Sequence, residues 1–302
     1  MQTTLLFALA WPLSAAITGP LVSAAAPAAL PTAEPQPVLV SATVRQSLEA
    51  TLWASSPAEG RALAAEVARL LRWRGDIRRL VQAGDRVSLL FVPATRGREP
   101  VLQALHYDGA QVQLTAFRFV GDDGVARHYG PAGERIEPVM RNAPVPAYEQ
   151  ITELMQRGPG RRRHRGDDLK APEGSRVVLP FAGVVRRTNW HRRRNGLCVE
   201  VRLDAGYTAH FLHLSALDAG VVRGQRLAAG APLGEVGSTG RSSGPHLHYE
   251  LLRGLQPVEP LAVHGRERAA LSGEALARFE PVRDALARQL LGPRPAAAAV
   301  AR

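Results

Sequence analysis

Six of the nine histidines in this 302-residue chain fall between positions 164 and 248. Imidazole carries protons and binds divalent metals near neutral pH, so the local spacing of these residues bears on chemistry. In Pro245-His246-Leu247-His248-Tyr249-Glu250, strand alternation places His246 and His248 on one face and Leu247 and Tyr249 on the other. Two imidazoles then enter one site, which suits one ligand and one neighbour of a metal-bound group, although a bare His-x-His also arises by chance. In His164-Arg165-Gly166-Asp167-Asp168, Gly166 and the later Pro172 oppose a helix. A turn feeding a strand lets His164 and one of the two aspartates converge on a cation, with a solvated Arg/Asp loop as the plain alternative. His213 closes the stretch Phe211-Leu212-His213-Leu214-Ser215. By parity it shares a face with Phe211 and Ala209, which turns His210 away and leaves it out of the site. His191 reads as a loop residue, His264 follows the last strand, and His106 and His128 lie singly on earlier strands as structural or solvent-facing residues.

The elements that position these groups follow from periodicity. Ser56-Pro57-Ala58-Glu59 reads as a capping box with proline at the first helical position. Leu63, Val67, Leu70 and Leu71 recur at helical spacing until Gly75. From Asp85 the period changes, and 87–92, 101–107 and 112–119 read as strands, joined by turns at Asp108-Gly109 and Gly121 to Gly124. Residues 38–141 are therefore expected to form an α+β unit, and 142–163, rich in proline, glycine and arginine, a linker. Short alternating stretches at 177–179, 183–187, 197–203, 207–213, 232–236 and 247–252 predict an all-β second unit over 164–264. Leu276, Phe279, Val282, Leu286 and Leu290 predict a C-terminal helix within 265–302 that packs on the body, with Pro281 as a point of bending and a loose tail after it.

Taken in order, His164-x-Gly-x-Asp168, His213-Leu-Ser and Gly-Ser-Thr-Gly-Arg-Ser-Ser-Gly-Pro-His246-Leu-His248-Tyr-Glu resemble the lysostaphin/LytM-type zinc endopeptidases across about 160–262. Ala83-Gly84-Asp85-Arg86-Val87 more loosely resembles the domain that precedes the peptidase unit in several Gram-negative cross-link endopeptidases. The resemblance implies small antiparallel sheets forming a groove, zinc held by His164, Asp168 and His248, and His213 and His246 as the catalytic pair. It implies hydrolysis of peptidoglycan stem-peptide cross-links in the periplasm or cell envelope, with the N-terminal domain able to cover the groove. Asp167 remains a substitute for Asp168. Two departures are the compressed arginine-rich stretch before His164 and Asn189 to Arg194, which replaces the usual glycine-rich turn before Leu197. No substrate-binding residue is assigned, but arginines 161–163 and 192–194 are expected to meet carboxylates or anionic wall polymer. The same fold without catalysis, as an activator of cell-wall amidases, is the alternative, and such relatives lose metal ligands that are all present here.

Composition narrows the classes. A net charge of +11, nearly all from arginine with Lys170 as the one lysine, favours adhesion to polyanions. Basic residues do not alternate with aromatics in any recognised nucleic-acid motif, so no nucleic-acid partner is expected. Cys198 is the only cysteine, which excludes an internal disulfide and a thiolate cluster, and its strand setting predicts a packed residue. Residues 1–26, apolar and ending in small residues but lacking an early positive charge, read as a cleaved signal or an anchor, and 27–37 as a proline-rich spacer.

Overall fold

The computed structural model describes residues 36–95, 98–156 and 163–292, all within one compact unit. The signal or anchor segment, most of the spacer, Arg161, Arg162 and the tail after Gly292 lie outside the described residues. Among those described, no helix is long and apolar enough to cross a membrane.

The first part follows the order β1 (Val38–Thr43), α1 (Leu48–Ser55), α2 (Gly60–Leu71), α3 (Ile77–Leu80), β2 (Arg86–Val92), β3 (Val101–Asp108), β4 (Gln113–Val120) and β5 (Ala126–Tyr129). Its five strands form an antiparallel meander in sequence order. One face packs on α1 and α2 through residues such as Leu52, Leu63, Val67, Leu89, Leu105 and Tyr107. The helical spacing read at 63–71 belongs to α2, but the expected capping box does not form. The Ser56 hydroxyl donates to the Glu59 carboxylate at 2.6 Å, while the Ser56 carbonyl accepts from Gly60 N at 2.7 Å. Ser56 ends α1, a helix that its weak amphipathic pattern conceals. The two helices then cross closely: a Cβ on Gly60 would lie 2.2 Å from the Leu52 carbonyl oxygen, so only glycine fits there.

The second part follows β6 (Val139–Met140), β7 (Gln150–Glu153), β8 (Asp167–Lys170), β9 (Arg176–Val178), β10 (Gly183–Thr188), α4 (Arg192–Asn195), β11 (Leu197–Leu203), β12 (Thr208–Leu217), β13 (Arg226–Leu227), β14 (Pro232–Val236), β15 (His246–Arg253), β16 (Gln256–Val258), α5 (Pro260–His264), β17 (Arg266–Glu267) and α6 (Gly273–Leu291). A ten-stranded antiparallel sheet runs β13-β10-β11-β12-β15-β8-β7, with β14 bridging β12 and β9 and β16 beside β15. The segment read as a linker carries β7, and Val145, Tyr148 and Ile151 are buried there. Pro144 and Pro146 sit in a bend and a turn there rather than in a free connection.

Phe211, Leu247, Tyr249 and Leu251 all sit at 0% exposure in the core beneath this sheet, which frees the alternate residues of β12 and β15 for the opposite face. Cys198 is buried as well, with its thiol 3.5 Å from the Trp190 carbonyl. The C-terminal helix α6 packs on the first sheet. Phe279 meets Phe119 edge-on at 5.5 Å and Tyr129 at 5.9 Å between ring centres, and the helix continues through Pro281. Strand β17 pairs with β6 and ties the approach to α6 back to the join between the sheets.

Candidate active site

The site is assembled by register. On β15, His248 stands opposite Asp168 of β8 on one side and Leu212 of β12 on the other, and Glu250 stands opposite His210. In place of the expected turn, an irregular stretch through His164 and Arg165 with a bend at Gly166 feeds β8, and there the backbone runs tight against β15. A Cβ on Gly166 would sit 2.2 Å from the Tyr249 carbonyl oxygen.

Three side chains from this register meet at one point. His164 Nε2 lies 3.0 Å from Asp168 Oδ1, His248 Nδ1 lies 2.7 Å from the same oxygen, and the two ring nitrogens are 3.1 Å apart. Asp167 is turned away and fully buried, where its carboxylate accepts from Met155 N at 2.8 Å and Leu261 N at 3.2 Å. Burial pushes its carboxyl up to about 6, despite those hydrogen bonds. The choice left open between the two aspartates thus falls on Asp168.

The electrostatics at the cluster favour a cation. Burial opposes charge on Asp168, yet the hydrogen bonds from His164 and His248 hold its carboxyl well below the usual range. Burial likewise opposes charge on His248, but Asp168 and Glu250 push it up to about 9. His164 is raised by Asp168 against the same desolvation. A divalent ion held by these groups would displace their protons. The donor set fits a first-row divalent cation, because two imidazoles and one carboxylate at metal-ligand bonds of about 2.0–2.2 Å leave a fourth tetrahedral position open. The three donor atoms lie within 4.8 Å of one another, close enough to share one ion.

Two further histidines flank this cluster. His213 donates from Nδ1 to the Thr239 carbonyl at 2.9 Å, and His246 donates from Nδ1 to the Gly244 carbonyl at 2.8 Å. Each ring thereby leaves Nε2 free, and the ring centres are 5.0 Å apart. His246 Nε2 lies 3.7 Å from Asp168 Oδ1. Burial lowers His213 to about 4, which the hydrogen bond to Thr239 only partly offsets.

The parity argument that removed His210 does not hold. His213 has a φ of 67°, a left-handed residue that breaks the alternation of β12. His210 and Leu212 therefore share the site face with His213, while Phe211 and Ala209 are core residues. His210 bridges Glu250 at 2.9 Å and Glu200 at 3.1 Å, and Glu250 in turn reaches His248 Nε2 at 3.2 Å. Glu250 was missed as a site residue, although its place two positions after His248 puts it on the same strand face. His264 is buried against Tyr249 and takes no part, with its Nε2 at 3.1 Å from the Tyr249 hydroxyl.

These groups line a groove of about 1730 Å³ whose walls include Arg163, Arg165, Trp190, Arg192 to Arg194 and Arg241. Among the described residues, none before Arg163 lines it.

Residues 162–260 match the model of Peptidase family M23. This segment is an M23 peptidase domain. Over 224 residues, 71% of the chain, the protein is 27% identical to peptidoglycan DD-endopeptidase ShyC of Vibrio cholerae, of which the match covers 50%. The chain spans about half the length of such curated relatives. Across 106 residues, 34% of the chain and 23% of the relative, identity to the DD-carboxypeptidase/endopeptidase Mpg of Neisseria meningitidis reaches 42%. Among solved structures, Csd3 of Helicobacter pylori is 20% identical with a TM-score of 0.41, covering 84% of this chain and 70% of that one. A zinc containing peptidase from Vibrio cholerae is 26% identical with a TM-score of 0.36, covering 75% and 70%.

Proposed function

We propose that the protein is a zinc endopeptidase that hydrolyses the peptide cross-links of peptidoglycan in the cell envelope, outside the cytoplasmic membrane. One observation carries the reading: His164, Asp168 and His248 converge within an M23 domain while His213 and His246 present free Nε2 atoms beside them. His164 Nε2, Asp168 Oδ1 and His248 Nδ1 are the proposed ligands. Zinc, when bound, supplies Lewis acidity toward water and toward the scissile carbonyl. The names of the Vibrio and Neisseria relatives, which describe peptidoglycan DD-endopeptidases and a DD-carboxypeptidase/endopeptidase, support peptidoglycan as the substrate.

The protein's own groups do the remaining work. His213 and His246 are anchored through Nδ1, so each Nε2 is fixed as an acceptor in its neutral form. Such a ring takes a proton from the attacking water and, once protonated, donates to the developing oxyanion or the leaving amine. Glu250 holds His248 through Nε2, leaving Nδ1 to face Asp168 and His164. A carboxylate behind a ligating imidazole fixes its tautomer and raises its basicity. The groove arginines offer planar donors to substrate carboxylates.

The test measures metal content of the purified protein and digestion of purified sacculi, with and without chelator. Stoichiometric zinc and chelator-sensitive release of cross-linked fragments are expected. Cleavage that survives complete removal of metal excludes the mechanism, and zinc binding without any cleavage favours the scaffold reading.

A further inference from the structure

Asp168 and His246 line a second cavity besides the arginine-rich groove. This space of about 670 Å³ extends from the proposed metal site to α2, β4 and β5 of the first sheet. Register shows how the two ends connect. His246 stands opposite Lys170, and Lys170 opposite Gln150. The Gln150 amide donates to Glu66 on α2 at 3.2 Å, Glu66 approaches His128 at 3.7 Å, and His128 pairs across the strands with Arg118. A peptide bound across the metal site has an arm on each side of the scissile bond. The groove can receive one arm and this cavity the other.

Most cations lining the cavity are engaged. Arg69 is paired with Glu66, Arg127 with Asp123 at 2.7 Å, and Lys170 with Glu149 at 3.0 Å. Arg118 is the exception: it is half-buried on β4 and, among the described residues, makes no hydrogen bond or ion pair. Arg135 lines the cavity too, but its Nη2 sits 3.5 Å from Glu137 and its unbonded Nε and Nη2 are sealed from solvent, so its charge is spent on Glu137. Arg118 is thus the unengaged guanidinium of the cavity among the described residues, and its planar fork of donors matches a carboxylate.

We propose that this cavity is a carboxylate-binding subsite for one arm of the peptide substrate, with Arg118 as its specificity-determining residue. The inference rests on the peptidase reading above. It makes the first sheet part of the substrate-binding surface, and it selects cross-linked peptides that carry a free carboxylate next to the scissile bond over those in which that group is amidated.

The experiment uses the full chain loaded with zinc and two cross-linked stem-peptide dimers, one with that carboxylate free and one with it amidated. Kinetics and calorimetric binding are measured for the wild type, Arg118→Gln and Arg118→Lys, with thermal midpoint and zinc content confirming that each variant is folded and loaded. Losing a hydrogen-bonded charge partner predicts a rise in KM of about 10- to 100-fold for R118Q on the free dimer. The change in kcat stays under about threefold, because the contact is made equally in ground and transition states. R118K recovers part of the loss, and the amidated dimer is treated alike by wild type and R118Q. Equal losses on both dimers, or none on either, overturn the subsite. If the wild type cleaves neither dimer but binds the free one in an Arg118-dependent way, the peptidase reading falls and the subsite stands. Cleavage without any Arg118-dependent preference has the reverse meaning, and absence of both cleavage and such binding overturns the two together.

Discussion

At the scale of single residues, geometry divides the five site residues into two sets with separable consequences. His213 and His246 are tied to backbone carbonyls through Nδ1 and stand outside the His164–Asp168–His248 contact. Replacing His213 by Asn, which tolerates its φ of 67°, or His246 by Gln is expected to lower kcat by about 10²- to 10⁴-fold with zinc content unchanged. Zinc lost in parallel with activity in either variant contradicts the division. Glu250 belongs behind the ligands, since it contacts His248 at 3.2 Å and His210 at 2.9 Å. Glu250→Gln keeps the shape but weakens the grip on the imidazole, so zinc affinity is expected to fall about 10- to 100-fold. Competition with a chromogenic chelator reads this directly, and an unchanged dissociation constant removes Glu250 from the role. Every one of these residues except Glu250 and His210 is legible from sequence by spacing and order. Glu250 was overlooked because a carboxylate on a strand has many solvated uses, and His210 because parity assumes unbroken extended backbone, which the left-handed turn at His213 violates.

At the scale of elements, the strands that hold the site were readable because each alternates apolar and polar residues over a buried face. What alternation does not encode is a residue that only a neighbouring chain explains. Strand β7 reads as linker in sequence because the prolines and glycines around it dominate the local pattern, and its register with β8 is set by residues well downstream. Gly166 reads in sequence only as a helix breaker, whereas its place is fixed by the Tyr249 carbonyl. Gly166→Ala forces the start of β8 away from β15, two residues before Asp168 faces His248, so a zinc affinity loss of about tenfold or more is expected, with destabilisation of about 1–3 kcal/mol. Gly244→Ala is the control, since a Cβ there meets nothing within 4 Å. Chemical denaturation and zinc competition on both variants decide the matter: a Gly166→Ala protein indistinguishable from Gly244→Ala shows that the close approach does not set the ligand geometry.

At the scale of the whole molecule, a polar seam joins the two sheets beside the apolar contact of Trp73 with the second core. Arg72, which caps the C-terminus of α2, donates to the carbonyls of Ile151 and, at 3.2 Å, Thr152 on β7. From the strap leading to β6, the Glu137 carboxylate accepts from Ile151 N at 3.0 Å, beside Arg135 and within reach of the charges of Arg72 and Glu66. Burial dominates over these arginines and pushes Glu137 up to about 7 from an ordinary value near 4.5. A carboxyl raised in the folded state binds its proton there after the unfolded chain has released it. Its contribution to stability is therefore complete below about pH 4.5 and is lost as pH rises through about 7. Glu137→Gln keeps an oxygen for Ile151 N and abolishes the titration. Relative to this variant, the wild type is expected to lose stability steadily between pH 4.5 and 7, as measured by denaturant midpoints across that range. Parallel curves for the two proteins show that the seam carries Glu137 as an ion across that range, matched by Arg135 and Arg72, and that the join between the sheets is insensitive to protonation there.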